Sequence, residues 1–306
     1  MRVTLGLQMD STSGYLREAA ERMLEAQRVV TTGKKITRPS DNPTLANRSM
    51  SLRSGINGIE QYQDNTTLAK SVLDSSEAAV DSIGDQLVML QQVAGKVNGS
   101  LAPESKTTLL AEIQNIRGRL LDLADTKYLD RQLFSGTMTN TSPIAANPAV
   151  PAVPPYIYQG DAGAIRIQIQ PTERIQTNVS ANELFNLDGS AGAGVKDVFT
   201  VMQDLETAVK AGDVNAASDL LKQIGDNHSN VLGVQAELGA RSARLEDNAA
   251  ALADSKGRMS ELLSNLEDVD LPSAIISMQT QQNVYQAALS VTSQIMQHRT
   301  LADYLS

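Results

Sequence analysis

The stretch PTLANRSMSLRSGINGIEQYQDNTTLAKSVLDSSEAAVDSIGDQL, residues 43–87, puts Leu45, Leu52, Ile59, Thr66, Leu73, Val80 and Leu87 at every seventh position. All but Thr66 are apolar. A seven-residue apolar repeat of this length is the pattern of a long helix packed lengthwise against another. A second comb follows near the other end: Leu245, Leu252, Met259 and Leu266, with Ala249 and Leu263 four residues after the first and third. The segment between the combs is rich in proline and partly β-like. The expected fold is mainly α with a small β module. It is a long antiparallel coiled-coil rod made from the N- and C-terminal arms, with a β-rich outer domain inserted between them.

Working outward, a first helix is expected from about residue 5 to Thr32, with Leu16, Met23 and Val30 at sevens and Gly33 as its stop. Gly33 to Asn42, containing Pro39 and Ser40-Asp41-Asn42, reads as a hinge. Asn42 is a suitable N-cap, with Pro43 at the first helical position. The long helix then runs to about Gly99. A third helix begins at Pro103, with Leu109, Leu110, Ile113, Ile116, Leu120, Leu123, Ala124 and Tyr128 at a period near 3.6, and is expected to end near Phe134-Ser135-Gly136.

The middle changes period. Ile165, Ile167 and Ile169 alternate with polar residues, and Tyr156-Ile157-Tyr158 is bounded by Pro155 and Gly160. Both read as strands. Ile175, Thr177 and Val179 repeat the alternation more weakly, and Phe134, Phe185 and Phe199 suggest a small separate core. Helices resume from about Gly194 to Lys210. A very long one follows from Ala216 to Asp268, with a weak point near Gly225. Asp270-Leu271-Pro272 reads as a second hinge. A last helix carries a seam of Ile275, Met278, Gln282, Tyr285, Leu289, Thr292 and Met296. The resulting segments are an N-terminal arm with hinge (1–42), rod helices (43–136), the outer domain (137–193), returning rod helices (194–270) and a C-terminal arm (271–306).

Composition narrows the chemistry. Aromatics are only 3% of 306 residues and tryptophan is absent, as suits a coiled-coil seam better than a compact enzyme core. A net charge of −9 argues against nucleic acid as partner, which demands clustered Lys and Arg. With no cysteine, disulfide and thiolate chemistry are excluded. No apolar run is long enough to insert in a membrane, and the N-terminus lacks the apolar block of a cleavable signal peptide. His228 and His298 stand outside any paired metal spacing. Gly189 to Gly194 lacks the Lys-Ser/Thr of a phosphate loop. Asp268 and Asp270 read as caps at a helix junction. No catalytic, metal or cofactor site is expected.

The terminal arms carry the functional expectation. Half a dozen large apolar side chains per arm, at ~1.5–3 kcal/mol each, amount to roughly 10 kcal/mol if left uncovered. The arms are therefore expected to be disordered alone and to find other copies of the chain.

Val29-Val30-Thr31-Thr32-Gly33-Lys34-Lys35-Ile36-Thr37-Arg38-Pro39-Ser40-Asp41-Asn42-Pro43 resembles the LSSGKRINxPSDDP segment of the bacterial flagellin family. Gln61-Tyr62-Gln63-Asp64-Asn65, Leu238-Gly239-Ala240-Arg241-Ser242 and Gln286-Ala287-Ala288-Leu289 are also similar to that family, in the right order over both arms. Val29-Val30-Thr31-Thr32 departs from its usual Leu-Ser-Ser. Pro39, Pro43 and the ending Leu301-Ala302-Asp303-Tyr304-Leu305-Ser306 are more similar to its hook–filament junction members than to filament subunits. The resemblance implies a secreted subunit of the extracellular flagellum, exported without cleavage. Its implied partners are further copies of itself, a hook-side junction protein, flagellin, and an export chaperone on the C-terminal helix. A short filament flagellin and an intracellular coiled-coil adaptor remain as alternatives.

Overall fold

The computed structural model describes residues 2–97, 102–149, 154–187 and 195–304; for 2–9 and 295–304 it describes backbone alone. Gly99, the Gly189–Gly194 stretch and the side chain of Met296 lie outside what is described. In chain order the elements are α1 (Arg2–Thr32), α2 (Pro43–Gly95), α3 (Pro103–Ala124), β1 (Lys127–Tyr128), β2 (Arg131–Gln132) and β3 (Ile144–Ala146). Then come β4 (Tyr156–Tyr158), β5 (Arg166–Gln168), β6 (Arg174–Gln176), α4 (Ala181–Phe185), α5 (Val198–Ala211), α6 (Val214–Glu267) and α7 (Leu271–Tyr304). The protein is mainly α, with a small β region of three two-stranded antiparallel sheets. Two compact units partition it: Met1–Ile59 with Asp254–Ser306, and Glu60–Ala253.

In the second unit α2 and α6 are antiparallel neighbours. Asn248 bonds Thr66, Lys70 meets Glu246 at 2.5 Å, and Gln235 bonds Asp81, so each step forward on α2 is met by a step back on α6. The expected seam residues Leu73, Val80, Leu87 and Leu245 are fully buried here. Thr66, the one polar tooth of the comb, is also buried. Its hydroxyl donates to the Tyr62 carbonyl at 2.7 Å and accepts from Asn248 Nδ2 at 3.1 Å. Asn248 Nδ2 further approaches the Ile169 carbonyl at 3.3 Å, and its Oδ1 accepts from Gln170 Nε2 at 2.5 Å. The β5–β6 hairpin is thereby pinned to both long helices.

Three helical expectations are corrected. α3 stops at Ala124, ten residues before Phe134, because a hairpin intervenes: Leu129 and Asp130 both take positive φ (48° and 60°) between β1 and β2. Two left-handed residues in a two-residue loop match the twist of the flanking strands. α2 ends at Gly95 rather than Gly99, and α6 runs through Gly225 unbroken because its helical bonding and burial continue on both sides.

The phenylalanines do not fill a separate core. Phe134, Phe185 and Phe199 belong to one contiguous buried cluster with Leu87, Leu90, Ile113, Leu120, Met202 and Leu238. Phe199 lies 5.3 Å from Phe185 and 4.9 Å from Tyr156, centroid to centroid. Gly136 allows a tight passage beside this core. Its φ is +69°, and a Cβ there would stand 2.1 Å from the Asp161 carbonyl oxygen. The Asp161 carboxylate in turn accepts from the Thr137 amide at 2.5 Å.

Candidate assembly interface

In the first unit α1 packs along α7. The covered line on α1 is Leu16, Ala19, Met23, Ala26 and Val30; only Ala19 is fully buried. On α7 the covered line is Ala274, Met278, Gln281, Tyr285, Ala288 and Thr292. Both repeat at three and four, which keeps each line facing its partner. The alanines allow close approach, so the larger residues are displaced to the flanks. Ile275 and Leu289, expected in the C-terminal seam, are exposed, while Met278 and Tyr285 are half covered.

α7 carries far more apolar surface than α1 covers. Ile276 is 65% exposed and Val291 52%, with Val284 between them on the same side. Ile275 and Leu289 lie on another. α1 adds Tyr15 (69% exposed) and Leu24 (59%). A helix that is apolar on all sides is one that ends up surrounded. The polar face of α1 is instead laced by pairs such as Glu25–Arg28 at 2.8 Å, each worth a few tenths of a kcal/mol.

The two connectors expected as hinges are bonded together. Gly33 ends α1 with φ +68°, its amide donating to the Val29 carbonyl at 2.9 Å. Val269 N donates to the Gly33 carbonyl at 3.0 Å, and Lys35 N to the Glu267 carbonyl at 2.6 Å. Pro39 is exposed in a turn held by Asp41, whose carboxylate accepts from Arg38 N at 2.9 Å and from Thr37. The Arg38 amide, more than any other contact, holds the Asp41 carboxyl below the usual range, and Arg28 at 3.6 Å adds to this. Asn42 Oδ1 accepts from Leu45 N at 3.1 Å, the cap expected before Pro43. Asp270 precedes α7: its carboxylate accepts from Ser273 Oγ at 2.7 Å, and its backbone carbonyl accepts from Ala274 N at 2.9 Å. Pro272 sits in the first turn, where its missing N–H costs nothing. Of the remaining seam residues, Ile59 is buried, and Leu45, Leu52, Met259 and Leu266 are half-buried. Met259 Sδ lies 3.1 Å from where a Cβ on Gly55 would stand, so that glycine admits the thioether.

Among the described residues no three His, Asp or Glu side chains cluster to hold a metal, and no helix is long and apolar enough to cross a membrane. Long antiparallel helices, a paired set of terminal helices and a small β region define a mainly helical protein. The chain belongs to the bacterial flagellin family. The family's N-terminal helical region matches residues 4–139, and its C-terminal helical region matches residues 221–305.

Among curated relatives, flagellar hook-associated protein 3 of Escherichia coli strain K12 is 26% identical over 90% of this chain and 90% of its own. The Salmonella typhimurium protein of that name is 25% identical over 94% and 95%. A flagellin of Listeria innocua is 23% identical over 97% and 96%. The same fold occurs in a putative flagellar hook-associated protein from Vibrio parahaemolyticus, with TM-score 0.65 and 22% identity over 74% of this chain and all of that one. It occurs again in hook-associated protein-3 of Legionella pneumophila, with TM-score 0.62 and 18% identity over 71% and 98%.

Proposed function

We propose that this chain is a non-enzymatic structural subunit of the bacterial flagellum that joins the hook to the flagellin filament and assembles through its terminal helices. The carrying observation is α7, which is apolar on several sides and covered by α1 on one. Surfaces of this kind are closed by neighbours. Further copies of the chain, a hook-side junction protein and flagellin meet them in the assembled state. An export chaperone shields α7 before secretion to the extracellular flagellum. Likeness over nearly full length to hook-associated protein 3 supports the junction role, as do Pro39 and Pro43 in the first connector.

Leu289→Asp tests this reading. Leu289 is exposed in the monomer, so melting changes little, whereas in an interface the buried unpaired carboxylate is costly. Secretion continues, but swimming and filament attachment fail. Intact swimming with attached filaments would refute the interface. A short filament flagellin is the second reading, favoured by the likeness to the Listeria innocua flagellin. Electron microscopy of a deletion strain separates the two. Bare hooks with flagellin in the medium mark a junction subunit, and absence of this chain from isolated hook junctions marks a filament subunit.

A further inference from the structure

Glu267 occupies a place where a carboxylate gains nothing by default. It is the last residue of α6, where the helix dipole is negative, and its side chain is only 7% exposed. Cations from two other segments meet it. Arg53 of α2 donates through Nε at 3.1 Å and Nη2 at 2.6 Å, a fork matched to a carboxylate, and Lys34 of the first connector donates through Nζ at 2.8 Å. Burial pushes the Glu267 carboxyl up, and the Arg53 and Lys34 hydrogen bonds outweigh it to leave the group below its ordinary value. The same residue's carbonyl accepts from Lys35 N, and Lys35 Nζ reaches the Asn265 carbonyl at 3.2 Å, one of the free acceptors at the α6 terminus.

We propose that Glu267 is the positioning residue of the first unit, a single buried anion that ties both connectors to α2 and fixes the direction in which α1 and α7 leave the long helices. Glu267 is buried while Arg53 and Lys34 are 52% and 40% exposed, so this ion cluster does little for stability beyond offsetting the burial of the anion. Its advantage is direction, because a forked guanidinium accepts a carboxylate in few orientations. The flanking ties act with it: Arg28–Asp41 and the Asn42 cap hold the outer part of the same connector. The connectors thus form one braced joint rather than two independent swivels. This inference concerns the isolated chain and stands apart from the flagellar role.

The test uses the full chain, which has no native cysteine to interfere. Spin labels at Gln27→Cys on α1 and Asn57→Cys on α2, both exposed positions, report the distance distribution across the joint. Amide exchange reports the Lys35 and Val269 hydrogens. In the parent the distribution is narrow. In Glu267→Gln and Arg53→Met it broadens, and the Lys35 and Val269 amides exchange at least tenfold faster, with the amides of α3 and α5 unchanged. An unchanged distribution and unchanged exchange in both variants overturn the proposal. So does uniform acceleration along α1, α2 and α7, which would make Glu267 an ordinary stabilising residue.

Discussion

Phe199→Ala removes the ring at the centre of the second unit's core. Phe199 is fully buried and contacts Tyr156 of β4 and Phe185 of α4. Truncating a buried phenylalanine costs ~3–5 kcal/mol through lost transfer energy and the cavity left behind. Both flanking rings also lose their tilted partner, a contribution of roughly 0.5–1.5 kcal/mol per pair beyond area. These terms overlap, so the expected loss is about 4 kcal/mol. For a unit the length of Glu60–Ala253 this lowers Tm by roughly 8–16 °C. The assay is guanidinium unfolding followed at 222 nm for the helices and at 275 nm for the tyrosines near the β region. Because Phe199 shares one cluster with Leu87, Leu90 and Ile113, both signals shift together. The reasoning is refuted by a loss below about 1.5 kcal/mol, or by a helical transition that stays put while the tyrosine signal moves alone.

Three further outcomes follow from named contacts. Asn248→Ala strips the partners of Gln170 Nε2 and the Ile169 carbonyl and costs ~2 kcal/mol; a denaturant midpoint equal to the parent's would contradict it. Gly136→Ala forces a side chain onto a left-handed backbone against Asp161 and costs roughly 2 kcal/mol or more, which chemical denaturation measures directly. Burial, with the nearby Asp161 and Glu183 charges, pushes the Tyr158 hydroxyl from 10.0 up to about 12. Its folded value lies above its unfolded one, so its stabilisation is fully present below pH 10.0 and is lost as pH rises through about 12. Titration at 295 nm that shows no tyrosine ionising late, or loses none in Tyr158→Phe, would count against this.

Punctuation and period made the long helices legible. Gly33, Asn42-Pro43, Pro103 and Pro272 stand within a residue or two of observed helix ends, and the buried comb teeth Leu73, Val80, Leu87 and Leu245 were readable from spacing alone. The β1–β2 hairpin was not, because its turn uses Leu129 and Asp130 where glycine or asparagine would have announced it. α4 did carry a signal. Ser180 and Glu183 form a capping box, with Glu183 N donating to Ser180 Oγ at 3.2 Å, and the S-x-x-E spacing was there to find. In the terminal unit the reading of α7 followed the large apolar residues. Small ones make the contact with α1: Ala274 and Ala288 face it, while the neighbouring Ile275 and Leu289 remain outside. Periodicity alone does not distinguish a side chain covered by its own chain from one awaiting another molecule. The Glu267 cluster was invisible because Glu267 lies 233 and 214 positions in sequence from Lys34 and Arg53.

Thr66 and Asn248 give the long helices an origin from which position can be counted. A strictly apolar heptad seam looks the same to itself after a slip of seven residues, about 10.5 Å along the axis. Sliding α6 by one such step against α2 would set Asn248 among aliphatic teeth and leave Gln170 and the Ile169 carbonyl without their partners. Two or three orphaned polar groups at ~1–3 kcal/mol each make that frame several kcal/mol poorer than the native one. One hydroxyl and one amide therefore act as a vernier mark, fixing the axial phase of two helices whose other contacts would tolerate error. The β5–β6 hairpin, hung on the same mark, inherits its height from it.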